Sequence, residues 1–249
     1  MHGQTTAFYR LLDDLRALHP QVEIESCASG GGRVDLEVLT RTDRIWPSDT
    51  IDAIERQQIM RWTGLLVPPE LMGSHVGAAN SHTTGRVLPL GFRAATALVG
   101  HAGVEMDVAA LDAPERDELA AWIALAKQVR DVVIGGRLVR VDHPDPAVYV
   151  TGVVRPDRSE AYFVIAVVAS LSTQVPAPVS LPGLDPHRRY AVQRVGPRAH
   201  THVADLDTSW LDGLAVTLPG ATLESVGVRL PMTTPQSAYV LHALAADVS

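Results

Sequence analysis

Cysteine is almost absent from this sequence. Cys27 is the only one among 249 residues, so an internal disulfide is impossible and a zinc site built on cysteines is excluded. No apolar run is long enough to span a membrane, and the first residues lack the basic and apolar segments of a targeting signal. We therefore expect a cytoplasmic protein without a membrane partner.

Basic residues are also in short supply. There are 21 Lys and Arg against 28 Asp and Glu, which gives a formal net charge of -7 and a pI near 5.8. Nucleic-acid binders need clustered basic side chains, so this balance argues against a nucleic-acid partner and leaves neutral sugars allowed. Hydrophobic residues make up 46% and charged residues 20%, a composition typical of a packed protein with one large or two smaller domains.

The first 140 residues alternate between short extended segments and helices. Apolar residues at three- and four-residue spacing over residues 5–18, ended by Pro20, predict an amphipathic helix. In a second helix we expect Ile54, Ile59 and Trp62 to point inward. Repeated strand–helix units are typical of part of a (β/α)8 barrel with parallel strands. The predicted strands lie at 22–27, 45–49 and 65–67, and the further helices at 52–62, 86–99 and 114–133.

The remainder of the chain has a β character. Turn dipeptides such as Pro182-Gly183 and Pro219-Gly220 separate short alternating segments, and this spacing predicts a small antiparallel β-sandwich. We place the domain boundary near residue 141, which divides the chain into residues 1–140 and 141–249. The predicted strands are 148–154, 161–169, 190–195, 215–218 and 237–243.

Polar clusters follow the predicted strands of the first region, which we expect to end near Cys27, Asp49 and Gly73. Barrel enzymes carry their sites at the C-terminal ends of the strands, so these clusters form the candidate site. The three clusters are Cys27-Ala28-Ser29-Gly30-Gly31-Gly32-Arg33-Val34-Asp35, Trp46-Pro47-Ser48-Asp49-Thr50-Ile51-Asp52 and Gly73-Ser74-His75.

These motifs resemble those of the α-galactosidases of glycoside hydrolase family 36. The resemblance rests on residues 25–33, on Ser48-Asp49-x-x-Asp52-x-x-x-Arg56, and on similar stretches at 68–76, 82–86 and 100–107. It covers most of residues 4–140. By this resemblance the chain is the C-terminal portion of such an enzyme: residues 1–140 are the C-terminal part of a (β/α)8 TIM barrel, and residues 141–249 are the family's C-terminal β-sandwich.

The resemblance also implies a reaction. Family members are retaining α-galactosidases that act without a cofactor on α-galactoside oligosaccharides of the raffinose and melibiose type. Such an enzyme needs two carboxyl groups roughly 5–5.5 Å apart, a nucleophile and an acid/base. The resemblance makes Asp49 the acid/base. The family's nucleophile belongs to an earlier barrel strand, so we expect it to be missing here and the chain alone to be inactive.

The other expected site residues lie in the same motifs, and the resemblance itself implies the roles of Cys27 and Gly30. Cys27 and the Gly30 backbone are expected to line the galactose pocket, and Trp46 to exclude water or stack under a sugar face. Asp52 and Arg56, one helical turn apart, are expected to pair and to support the loop that holds Asp49. His75 is expected to support the site as well. Metal binding is not expected, since His75, His82 and His101 are spaced unlike a compact ligand motif.

Simpler interpretations exist for the same residues. Asp49 could be a helix N-cap, Asp52 with Arg56 a solvated ion pair, and Cys27 a small core residue. Trp46 could be a core aromatic. Glu105 and Asp107 are expected to be structural.

A rival functional hypothesis belongs to another class. The chain could be a truncated or split remnant, inactive by itself, which acts as a sugar-binding module or as a partner that completes a barrel in trans. Exposed barrel edges predict a homo-oligomer or association with the missing N-terminal part. Thr50-Ile51 and Met106 depart from the pattern of relatives, and the choice between hydrolysis and galactosyl transfer stays open.

Overall fold

The first region is a series of parallel strands linked by helices. The computed structural model describes residues 2–174, 176–199, 214–231 and 233–246. The elements of this region are α1 (His2–Leu18), β1 (Glu25–Ser26), α2 (Leu36–Leu39), β2 (Arg44–Ile45), α3 (Ala53–Thr63), β3 (Gly73–Gly77), α4 (Leu90–Ala97), β4 (His101–Glu105) and α5 (Ala113–Gly135).

The four strands lie side by side in sequence order. β1 pairs with β2 and β3 pairs with β4, both in parallel. A parallel bridge from Ile45 to Met72 joins β2 to the start of β3. The prediction of consecutive parallel strands is confirmed, and two of them end close to Cys27 and Asp49.

The third strand was predicted in the wrong place. Leu65 and Leu66 are 55% and 87% exposed in the turn after α3, and the strand begins at Gly73 instead of ending there. An added Cβ at Gly73 would lie 2.9 Å from the Trp46 ring, and one at Gly77 would lie 2.5 Å from Ile51 Cβ. Close packing by neighbouring segments therefore selects glycine in this strand, and such a requirement leaves no local apolar pattern.

The orientation of α3 agrees with the prediction at Ile54, which packs half-buried against the core, and differs from it at Trp62. Trp62 is 61% exposed, whereas Ala53, Arg56 and Gln57 are buried. Gln57 donates a hydrogen bond to Thr96 of α4 over 2.8 Å. The inward face of this helix is thus partly polar, which is why its apolar residues misled the prediction.

The second region is built on one six-stranded antiparallel sheet in the order β5-β6-β7-β10-β8-β9. The antiparallel β region is therefore confirmed. The predicted boundary near residue 141 falls within β5, a strand that sequence patterning missed. The elements are β5 (Arg137–Asp142), β6 (Val148–Val154), β7 (Glu160–Val167), β8 (Arg189–Arg194), β9 (Val216–Pro219), α6 (Gly220–Ser225) and β10 (Ser237–Ala245).

The two faces of this sheet are covered differently. Tyr162 and Val164 of β7 belong to the core that α4 and α5 share with the sheet, while Phe163 and Ile165 belong to a second core with Leu181. The second core is closed by α6 and by irregular chain with a single antiparallel bridge between residues 179 and 228. Within the described ranges, this layer replaces the second sheet of the predicted sandwich.

Helix α5 joins the two regions. It starts with a capping box formed by Asp112 and Glu115, and a proline occupies its first turn, both of which are signals that favour a helix start. Its buried residues face both α4 and the sheet. None of the described helices is long and apolar enough to cross a membrane.

Candidate functional site

The loops that follow β1 and β2 lie directly against each other. Gly30 is buried with φ +70°, and a Cβ there would fall 2.6 Å from Ser48 Cα and 3.0 Å from the Asp49 nitrogen. A Cβ on Gly31 would lie 2.7 Å from the Pro47 carbonyl oxygen. The glycine run therefore allows the first loop to touch the backbone that carries Asp49. This packing is a role for Gly30 beyond the sugar contact implied by the resemblance.

Asp49 is an exposed carboxylate at the meeting point of these loops. The thiol of Cys27, which is also exposed, lies 3.8 Å from Asp49 Oδ1 and can donate to it. Cys27 is thus not a core residue. The structure brings together Cys27, Gly30 and Asp49, three residues that we singled out from the sequence.

The helix cap after β2 is Asp52. Its Oδ1 accepts from the amides of Ile54 and Glu55 at the start of α3. The simple interpretation of Asp49 as the N-cap is therefore wrong, because the cap lies three residues later. Asp49 does not cap the helix.

Asp52 is fully buried and strongly hydrogen-bonded. Its Oδ2 accepts from the Thr84 hydroxyl over 2.5 Å and from Arg86 over 2.7 Å. Burial acts to raise the pKa of this carboxyl, but the hydrogen bonds from Thr84, Ile54 and Arg86 outweigh it and hold the pKa below its ordinary value. Asp52 is an ionised anchor between α3 and the chain at 84–86.

Arg56 does not pair with Asp52, contrary to the prediction. Its guanidinium is buried and donates to the carbonyl oxygens of Ser48 and Thr50 over 3.2 and 3.1 Å. Burial lowers the pKa of Arg56 to about 10, so it remains a cation at neutral pH. The two carbonyls flank Asp49, and Arg56 thus fastens the loop on both sides of that carboxylate.

Trp46 and His75 form the wall next to this loop. Their rings stack with centroids 4.4 Å apart and planes 17° from parallel. His75 is buried, and its Nε2 lies 2.9 Å from Glu105 Oε2 at the end of β4. Burial, with a smaller effect from the positive charge of Arg56, lowers the pKa of His75 to about 3. A neutral imidazole therefore faces the Glu105 carboxylate.

Glu105, which the sequence analysis expected to be structural, lies beside His75 at this wall. The sequence signal for this position was that Glu105 ends a strand, as Cys27 and Asp49 follow the ends of theirs.

Asp35 caps a helix: its side chain accepts from the Val38 amide of α2 and from the Tyr9 hydroxyl over 2.8 Å. Asp35 and Asp52 are thus committed to helix caps, and Asp49 is not.

Two family models match the chain in succession. Residues 1–136 match the melibiase family, and residues 148–243 match the C-terminal domain of glycosyl hydrolase family 36. The α-galactosidase of Escherichia coli is 43% identical over 247 residues, covering 96% of this chain and 34% of the relative. The probable α-galactosidase C of Aspergillus terreus is 34% identical, with 96% and 30% covered. The chain therefore spans about a third of the length of these curated relatives.

Solved structures give the same assignment. A variant of the family 36 α-galactosidase AgaA of Geobacillus stearothermophilus, in complex with raffinose, superposes with a TM-score of 0.84 at 28% identity, covering 96% of this chain and 31% of AgaA. A further AgaA variant, in complex with stachyose, has a TM-score of 0.83 at 29% identity with the same coverage. The chain belongs to the melibiase family and corresponds to a C-terminal portion of the α-galactosidases of glycoside hydrolase family 36.

Proposed function

We propose that this chain supplies the acid/base side of the active site of a retaining α-galactosidase, with Asp49 as the acid/base. The observation that carries the proposal is the position of Asp49. It is an exposed carboxylate at the ends of two adjacent parallel strands, beside Cys27, on a loop fastened by Arg56. We further propose that residues 1–140 form the C-terminal part of a (β/α)8 barrel.

The chemistry divides between two carboxyl groups. In a retaining enzyme the nucleophile attacks the anomeric carbon while the acid/base protonates the leaving oxygen, and the same group then takes a proton from the water that hydrolyses the glycosyl-enzyme. We assign both proton transfers to Asp49. We assign the nucleophile to an earlier barrel strand, within the two thirds of the relatives that this chain does not cover.

The proposed substrates are α-galactoside oligosaccharides of the raffinose and melibiose type. The support comes from relatives, since variants of AgaA were crystallised with raffinose and stachyose. Cys27 and the loop at Gly30 border Asp49, so we propose that they contact the galactose. Trp46, held against His75, is proposed to form one wall of the pocket.

Azide rescue tests the role of Asp49, in a protein that joins this chain to the nucleophile-bearing part. An activated phenol leaves with little need of an acid, so Asp49→Ala should still form the covalent intermediate and hydrolyse it slowly. Azide should restore turnover. Because the intermediate of an α-retaining enzyme is β-linked, the rescued product should be the α-galactosyl azide.

Asp35→Ala is the matched control, because it also removes a carboxylate that follows a strand of the barrel. It should leave activity near the parent level and show no azide effect. Formation of the β-azide, or an Asp49→Ala variant as active as the parent, would remove Asp49 from the acid/base role.

The second candidate function is that of a non-catalytic partner. The exposed residues of β4 and of α1 favour it. We expect the 249-residue chain alone not to cleave an aryl α-galactoside, because no glycosyl-enzyme can form without a nucleophile. Cleavage by the isolated chain that survives Asp49→Ala would contradict both candidates.

A further inference from the structure

Three side chains from neighbouring strands lie in a row across the first region. His75 of β3 is opposite Gly103 of β4, and Gly77 is opposite Glu105. Residues two apart on a strand point to the same face, so His75 and Glu105 share one face of this strand pair. Trp46, which directly follows β2, stacks on the ring of His75. The row therefore runs from Glu105 through His75 to Trp46.

His75 is buried with both ring nitrogens unpaired. Its side chain is 1% exposed, and neither nitrogen has a hydrogen-bond partner within the described ranges. The pKa of His75 is about 3, so the ring is neutral and one nitrogen carries a proton that needs an acceptor. Glu105 Oε2 lies 2.9 Å from Nε2, and the Glu105 side chain is 54% exposed. Glu105 thus has the reach and the freedom to accept from Nε2–H.

A hydrogen bond from Nε2 fixes the angle of the imidazole ring. The stack with Trp46 covers only the face of the ring, with centroids 4.4 Å apart, whereas a contact at Nε2 lies in the ring plane and stops rotation about the Cβ–Cγ bond. Trp46 is partly exposed, and a Cβ at Gly73 would lie 2.9 Å from its Cε3 atom. The indole therefore rests on His75 and Gly73, and its position depends on the angle of the imidazole.

We propose that Glu105 is a positioning residue for the galactose site. It accepts a hydrogen bond from His75 Nε2 and so holds Trp46 in place as the wall beside Asp49, and it transfers no proton in the reaction. This role rests on the proposed function, because the wall contacts substrate only if the galactose binds at Asp49. The negative charge of Glu105 also opposes the effect of burial on the pKa of Arg56, so the test must separate charge from hydrogen bonding.

Steady-state kinetics on an aryl α-galactoside test this role, in the protein that joins this chain to the nucleophile-bearing part. Glu105→Ala should raise KM about tenfold and leave kcat within about twofold of the parent, since the wall binds ground state and transition state alike. Glu105→Gln keeps an oxygen that accepts from Nε2–H, so its KM should return to within about threefold of the parent.

Asp107→Asn is the matched control. It removes a negative charge two residues beyond Glu105 and keeps an oxygen to cap its own turn, so KM should not change. Because the Glu105 side chain is half exposed, its variants should fold, and their circular dichroism should match that of the parent.

A double-mutant cycle shows whether Glu105 acts through the tryptophan. Trp46→Ala should raise KM by itself, and Glu105→Ala added to it should have little further effect. Residues that act independently would instead multiply their effects on KM.

The outcomes separate this role from the acid/base assignment. A parent-like KM in Glu105→Ala, equal KM values in Glu105→Ala and Glu105→Gln, or multiplied effects in the cycle would overturn the positioning role and leave the azide rescue of Asp49→Ala standing. Absence of azide rescue in Asp49→Ala, with the Glu105 pattern intact, would refute the acid/base assignment alone. Azide rescue of Glu105→Ala would overturn both, because Glu105 would then be the acid/base.

Discussion

Replacing Gly30 with alanine should destabilise the chain and displace the loop that carries Asp49. Gly85 is a matched reference, because both glycines have φ +70°. An alanine in this left-handed region costs about 1 kcal/mol at either position. The two sites differ only in what surrounds them.

The atoms around each glycine determine how much more stability Gly30→Ala should lose than Gly85→Ala. A Cβ at Gly85 meets nothing within 4 Å, whereas one at Gly30 falls 2.6 Å from Ser48 Cα. That neighbour is backbone, which cannot rotate away, so the loop must shift, and overpacking of this kind adds about 1–3 kcal/mol. We expect Gly85→Ala to lower the free energy of unfolding by about 1 kcal/mol and Gly30→Ala by roughly 3 kcal/mol.

Urea unfolding followed by circular dichroism measures both values. The parent and the two variants must be compared at one protein concentration, since association shifts apparent stability. Equal losses at the two glycines would refute the reasoning, because they would mean that the loop after β1 does not rest on the backbone at Ser48 and Asp49.

Three further comparisons follow from buried side chains. Asp52→Ala should cost about 3 kcal/mol and the exposed cap variant Asp112→Ala about 1 kcal/mol; equal losses in urea unfolding would contradict the anchoring role of Asp52. The pKa of His75 is about 3 in the fold against 6.5 unfolded, so the unfolded chain binds the proton more strongly and stability should fall as pH drops from about 6.5 toward 3. His75→Gln should flatten that slope in unfolding curves taken across this range, and an unchanged slope would show that His75 is not buried in its neutral form. Trp62→Ala should change the unfolding free energy by less than about 0.5 kcal/mol, whereas Trp122→Ala, in the core, should cost about 3–5 kcal/mol; the reverse order would restore the inward orientation predicted for Trp62.

The elements that sequence patterning located correctly carry their own local signals. α5 was expected over 114–133 and is observed at Ala113–Gly135, because proline, a capping box and regular apolar spacing all mark it. The strand expected over 148–154 is observed with the same bounds. It is a mostly buried run of β-branched residues, and such a run indicates a strand wherever it packs.

The misplaced elements depend on partners distant in sequence. β5 follows α5 after a single residue, and its side chains are at most half-buried, so no local apolar pattern separates this strand from the end of the helix. Arg56 was assigned to Asp52 by helix spacing. Its carbonyl partners at Ser48 and Thr50 are backbone groups, and helix periodicity carries no information about them.

The arrangement around α3 explains how one short loop can support both stability and chemistry. A buried carboxylate that caps a helix and accepts from a hydroxyl and an arginine is held ionised, as Asp52 is by Thr84 and Arg86, and such a group is a poor proton donor near neutral pH. Asp49 has neither of these contacts, because Asp52 caps the helix and Arg56 binds the loop carbonyls on either side of Asp49. The proposed acid/base is therefore positioned by a loop that Arg56 fastens, and the Cys27 thiol lies within donating distance of it.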